Sequence, residues 1–237
     1  FCRVPRPWVK DPNFTIVESA REAATGYSFP SGHTQSAFTV LGTPARWWNN
    51  TKLRVACITL IVLVALSRMY LGVHTPADVI VASIFGLILV FGFYPLFKNM
   101  DENPKPVYIL YVVFIIAAGA FVAYMNLANF PADIDMANYE SALKHSWEIF
   151  FCAFGLLLVF HVDRTKLQFP TAAPFKCQVI KVAVGAAVAL GMKSGLKAPL
   201  LALLDGNMMA HGIRYFVMIL FAGIIWPMTF KWFEAGM

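Results

Sequence analysis

Two short strings in this chain hold residue types that can move a phosphoryl group: Pro30-Ser31-Gly32-His33, and Ser67-Arg68 followed by five residues, His74, three residues and Asp78. A neutral histidine ring nitrogen can attack phosphorus when a group on its other nitrogen fixes the tautomer and stabilises the cation that forms. Asp78, four residues beyond His74, is placed to be that group. Asp78 also reads as helix chemistry, because Thr75-Pro76-Ala77-Asp78 supplies an N-cap, a proline at N1 and an acid at N3. The two roles are compatible. Ser31-Gly32 opens a helix whose first N–H groups point at whatever precedes it, where an anion settles, and His33 beside them can protonate a departing oxygen. A capped helix with a solvent-facing histidine is the plainer alternative. Arg68 ends an apolar run and needs a partner there: either a phosphate, matched by the guanidinium fork, or the headgroup region reached by snorkelling. Arg6-Pro7 offers a second guanidinium.

The elements that must position these residues are membrane helices. Hydrophobic residues make up 59% of the chain and charged ones 14%, with a mean hydropathy of +0.63, far from the averages of soluble domains. Apolar runs of about 18 to 21 residues match the span a bilayer core demands, and the alternation of a β-barrel is absent. The expected fold is all-α, a polytopic transmembrane helical bundle of about seven spans, near 31–48, 53–71, 77–97, 107–127, 145–161, 178–193 and 212–231. Lys193, Ser194, Gly195, Lys197 and Pro199 interrupt 194–211, which reads as a partial or interfacial helix. A helix that starts at Ser31, turns at 49–51 and returns must end near Arg68 on the face where it began. The next helix starts at Thr75-Pro76, so one pocket collects both strings.

The net charge of +6 is scattered over loops rather than gathered in a stripe, which argues for anionic lipid headgroups and against nucleic acid. Cys2, Cys57, Cys152 and Cys177 show no paired spacing, so neither a disulfide framework nor a zinc site is expected. The chain starts at Phe1 with no signal segment, which reads as an internal start with core helices upstream. More Lys and Arg flank the helix ends opposite the strings than the ends that carry them, which turns the strings to the non-cytoplasmic side of a cell membrane.

Taken together, the strings resemble the signatures of the type-2 phosphatidic acid phosphatase superfamily, membrane lipid phosphatases whose site is related to that of the vanadium haloperoxidases. Its PSGH signature stands as Pro30 to His33, and its SR-x5-H-x3-D signature as Ser67 to Asp78. Of K-x6-RP only Arg6-Pro7 is present, since the lysine would fall two positions before Phe1. The resemblance implies a six-helix core, of which residues 1–98 hold three helices, and leaves 99–237 as a C-terminal transmembrane helical extension. It also implies that His74 is the nucleophile forming a phosphohistidine, Asp78 its orienting carboxylate, and His33 the acid for the leaving group. Arg6, Ser31, Gly32 and Arg68 would bind the phosphate, and no cofactor or metal is implied.

The reading is a metal-independent membrane phosphatase acting on a lipid phosphate or diphosphate. A lipid-phosphate transporter or binding protein without turnover is the alternative, and a vanadate-dependent oxidation site a second rival. In the extension, Asp133, Asp135 and Glu140 read as a solvated acidic loop before a cation site. Lys193 and Lys197 read as interfacial lysines before a headgroup site. Gly119-x-x-x-Ala123 and Gly185-x-x-x-Ala189 suggest close helix packing.

Overall fold

The computed structural model describes residues 3–131, 134–169 and 173–231, so Cys2 and Asp133 lie outside the described residues. Among the described residues the chain is helical and no strand forms. It divides into two compact units, Phe1–Pro104 and Lys105–Met237.

The first unit begins with a polar lead-in carrying two single-turn helices, α1 (Pro7–Lys10) and α2 (Glu18–Arg21), followed by α3 (Gly32–Trp47), α4 (Thr51–Tyr70) and α5 (Pro76–Lys98). Each long helix starts where a side chain caps it. Ser31 accepts from the Thr34 N–H and Asn50 from the Leu53 N–H. Thr75 accepts from the Asp78 N–H while the Asp78 carboxylate accepts from the Thr75 N–H, a full capping box. The end of α4 is fixed just as locally. Gly72 takes φ +73°, its N–H donates to the Met69 carbonyl at 3.0 Å, and the Val73 N–H donates to the Arg68 carbonyl at 3.2 Å. Those two bonds are a Schellman motif. A Cβ on Gly72 would also collide with the carbonyl oxygen of Thr15 in the lead-in, so glycine is required there twice over.

Helix α3 packs against both α4 and α5. Its approach to α5 is close because Gly86 has no side chain where the Cβ of Phe38 lies, and a Cβ on Gly42 would come within 3.2 Å of Val90.

In the second unit α6 (Lys105–Leu127) and α7 (Met136–Val162) precede a π-helical turn at Asp163–Leu167. Then come α8 (Phe175–Gly195), α9 (Lys197–Leu203), α10 (Met209–Leu220), a second π-helical turn at Phe221–Ile225, and α11 (Trp226–Met228). Helix α7 packs on α6 and on α10. Glycines again set the spacing: Gly155 meets Phe216 and Ile219, Gly212 meets Trp147 and Phe151, and Gly223 meets Val159. Gly185 lies against the Trp226 ring, whose Nε1 donates to the Lys181 carbonyl at 3.2 Å.

Three sequence expectations need correction. Six helices rather than seven are long and apolar enough to cross a membrane among the described residues. The segment expected to span at 31–48 folds as the 16-residue α3, about 24 Å long against a hydrocarbon core of about 30 Å. Its caps at Ser31 and Trp48 stop it, and Gln35, Thr39, Thr43 and Arg46 lower its apolar content. Helix α7 starts nine residues before the expected 145, because the Asp135 side chain caps it through the Asn138 N–H. Two of the three acidic residues read as a loop therefore belong to a helix start. The partial helix expected in 194–211 is α9, but the break follows it instead of lying at Lys193–Pro199: α8 runs into α9 through Leu196, which keeps right-handed helical angles, and the chain turns at Asp205 and Gly206, both at positive φ. Pro199 stands inside the run from α8 into α9 and has no N–H to give the Gly195 carbonyl four residues earlier.

Replacing Gly86 by valine should destabilise the unit by about 1–3 kcal/mol through overpacking against Phe38. At Gly92, where a Cβ would meet nothing within 4 Å, alanine should leave stability equal or raise it by about 0.5–1 kcal/mol. Thermal unfolding of the two variants in detergent separates close packing from helix propensity.

Candidate active site

The turn between α4 and α5 places Arg68 and His74 on one wall of a cleft of about 630 Å³, and the start of α3 places Gly32 and His33 on another. Arg6, from the residue before α1, completes the cluster. Both arginines line the cleft, and no Asp or Glu does among the described residues. The cleft is therefore a cationic recess suited to a dianion.

Arg6 is held in place by backbone. Its Nε donates to the Gly26 carbonyl at 3.1 Å, Nη2 to the Thr25 carbonyl at 2.7 Å, and Nη1 to the Val73 carbonyl at 2.9 Å. The same Nη1 lies 3.1 Å from His74 Nε2. A guanidinium has only donors, so Nε2 must present its lone pair and the proton must sit on Nδ1. Burial first, and then Arg6, push the His74 pKa below the usual histidine range, against an opposing pull from Asp78. The ring is thus held neutral with a basic nitrogen facing the cleft.

Behind the ring, His74 Nδ1 lies 3.6 Å from Asp78 Oδ2 and 3.5 Å from Ser28 Oγ. Asp78 Oδ2 accepts from the Ser28 hydroxyl at 2.6 Å and from the Thr75 N–H at 2.7 Å. Asp78 and Ser28 are 2% and 1% exposed, so these contacts form out of water. A carboxylate in that position stabilises charge on the imidazole whenever Nε2 acquires a substituent.

His33 is exposed at the cleft, on the first turn of α3. Partial burial, then Arg68 and Arg6, lower its pKa. The N–H groups of Gly32 and His33 belong to the turn that has no intrahelical acceptors, and a Cβ on Gly32 would meet nothing within 4 Å. Arg68 Nε donates to Ser67 Oγ at 3.3 Å, and its Nη groups make no hydrogen bond among the described residues.

The structure thus gathers Arg6, Gly32, His33, Arg68 and His74 on the cleft wall and sets Asp78 directly behind His74. Ser31 is the exception. It is wholly buried, its hydroxyl lies 3.0 Å from Thr34 Oγ1 and caps α3, and it does not line the cleft. Capping uses the oxygen expected to meet an anion. Sequence reasoning misses Ser28, and with it the carbonyls of Thr25 and Gly26. They lie in a loop with no periodicity, and the only hint is the polar serine two residues before Pro30.

Because its folded pKa is depressed, His74 contributes stability that is complete above its unfolded value of about 6.5 and is lost as pH falls through the folded pKa. Protonating Nε2 would set two donors face to face with Arg6. Melting temperatures between pH 8 and pH 4.5 should fall on the acid side, and His74→Asn should flatten that limb. An unchanged limb in the variant would remove His74 as its cause.

Two family models match the chain. The PAP2 superfamily model matches residues 1–102, nearly all of the unit that carries the cleft. A model of the PAP2 superfamily phosphatase transmembrane extension matches residues 150–236. No curated protein and no solved structure matches. The two matches cover most of both units, and the chain belongs to the PAP2 superfamily as an integral membrane phosphatase with an all-α fold.

Proposed function

We propose that this phosphatase hydrolyses the terminal phosphate of a lipid phosphate or diphosphate through a phosphohistidine at His74. The observation that carries the reading is the setting of that ring: Nε2 lies 3.1 Å from Arg6 Nη1 at a cleft lined by two arginines, and Nδ1 is backed by Asp78 and Ser28, which favours a neutral imidazole with its lone pair on Nε2.

A phosphate entering the cleft takes N–H groups of Arg6, Arg68, Gly32 and His33, and one of its oxygens replaces His74 Nε2 as the acceptor of Arg6 Nη1. Nε2 then attacks phosphorus. The Nε2–P bond forms as the bond from phosphorus to the ester oxygen breaks, and protonated His33 gives its proton to that oxygen. The imidazolium keeps its proton on Nδ1, stabilised by Asp78. Water next attacks phosphorus, neutral His33 takes the proton, and phosphate leaves with His74 neutral again. Ser31 acts here through the α3 N-terminus it caps rather than by touching phosphate. Asp78 serves as both cap and counter-charge.

Support for a lipid comes from the surroundings. Ala20, Ala23, Ala24 and Leu71 give the cleft an apolar flank. Leu66 and Tyr70, on the turns of α4 around Arg68, are exposed, as side chains facing acyl chains would be. The non-cytoplasmic face of a cell membrane is proposed from the distribution of Lys and Arg.

The lowered His33 pKa has a consequence for the acid step. Partial burial, and after it Arg68 and Arg6, hold the proton off in the free protein; a bound phosphate offsets the two arginines and favours the charged ring when an acid is needed. Ring NMR should show the His33 midpoint rising when inorganic phosphate is added. No rise would take His33 out of that role.

Phosphate release from short-chain phosphatidate should fall by on the order of 10³-fold or more in His74→Ala. Wild-type protein quenched in alkaline denaturant, where the acid-labile P–N bond survives, should carry a ³¹P phosphoramidate signal that the variant lacks. Wild-type protein that binds the lipid and releases nothing would establish the transport or binding alternative instead.

A further inference from the structure

The second unit contains a cavity of its own, of about 410 Å³, where the start of α7, the end of α8 and the start of α10 come together. Lys144, Lys193, Lys197, His211 and Arg214 line it. Local structure explains the convergence. The unbroken passage from α8 through Leu196 into α9 keeps Lys193 and Lys197 one turn apart. Gly212 lets α10 approach α7 so closely that a Cβ would lie 2.6 Å from the Trp147 carbonyl oxygen, which brings His211 and Arg214 beside Lys144.

Arg214 shows that this is more than a set of surface lysines. It is 6% exposed, its Nη1 reaches the Lys193 carbonyl only at 3.4 Å, and its guanidinium carbon stands 5.1 Å from the centre of the Tyr215 ring. Its Nε has no hydrogen-bond partner among the described residues. A buried charged donor left in that state calls for an acceptor. The nearby carboxylate is only half engaged: Glu148 Oε2 lies 2.7 Å from His145 Nδ1, while Oε1 lies 3.9 Å from Lys144 Nζ and has no hydrogen-bond partner among the described residues. Three lysines and an arginine line the cavity, and no carboxylate does among the described residues.

We propose that this cavity is a second anion site, separate from the cleft, which binds one phosphate group. A guanidinium and several ammonium groups converging on one space suit a tetrahedral anion that accepts from all sides. The group is carried on a phospholipid headgroup or arrives as free phosphate. The site does not depend on the hydrolysis proposed above.

Binding to the purified protein in phosphatidylcholine nanodiscs would be measured with two probes: inorganic phosphate and short-chain phosphatidylglycerol, a diester. The Arg68→Gln background reduces the contribution of the cleft. One equivalent of at least one probe should persist in that background. Affinity should then fall at least tenfold with Lys193→Gln/Lys197→Gln or with Arg214→Gln, and rise with Glu148→Gln. Binding of phosphatidylglycerol alone assigns the site to a headgroup, and comparable binding of phosphate assigns it to the free anion. The double lysine variant changes only exposed side chains, so it keeps the test open if Arg214→Gln does not fold. The proposal is overturned if neither probe binds in the Arg68→Gln background, or if the lysine variant binds as tightly as its parent. A Glu148→Gln protein that loses its fold and its binding together would mean that Arg214 and Glu148 serve each other as a structural pair, which also overturns it.

Discussion

One carboxylate oxygen, Oδ2 of Asp78, is the point on which the phosphatase unit depends. It closes the α5 capping box through the Thr75 N–H, takes the Ser28 hydroxyl, and stands against His74 Nδ1. A helix start, a loop and an imidazole are thereby fixed by a single atom. The backbone carbonyl of the same residue accepts from the Ser31 N–H at 3.1 Å, so the start of α3 is tied to the start of α5. Removing that side chain would loosen several elements of the site together, which is why its structural and chemical roles cannot be separated by deletion alone.

Short-range rules dominate the rest of the site. Between Arg68 and His74 the chain ends one helix with a Schellman motif, and the next helix begins at once with a capping box. The intervening turn therefore has almost no conformational freedom, and the distance from arginine to histidine is set by backbone hydrogen bonds rather than by packing. The longer-range part is the meeting of α3 with α5, which needs small residues at Gly42 and Gly86 because in lipid helices are drawn together by close contact, not by expulsion of water.

Much of this is legible in the sequence. The side-chain types at His33, Arg68, His74 and Asp78, together with an outgoing and a returning helix, bring both strings to one end by geometry alone. Ser28 and the carbonyls that hold Arg6 are not legible, because their partners are 46 to 50 residues away for the serine and are chosen by how a loop closes. Gly72 is hidden differently: it sits among the five unspecified positions of a spacing rule, yet its positive φ and its contact with Thr15 leave no alternative. The differences in helix length come from reading hydropathy without caps. Ser31 and Trp48 shorten α3 despite its place among the expected spans, and Asp135 lengthens α7 despite its polar start.

The way Arg6 is anchored changes what its side chain can do. Three carbonyls hold the guanidinium before any substrate arrives, so its rotational freedom is already lost in the folded protein and no further ordering is needed on binding. The donor stays still and the acceptors change places. Under the mechanism proposed above, the attacking nitrogen of His74 is covered between turnovers by a permanent cation, which keeps protons and stray electrophiles from it, and an arriving phosphate uncovers it by replacing it as the acceptor of Arg6. In the proposed reaction the substrate itself releases the group that attacks it.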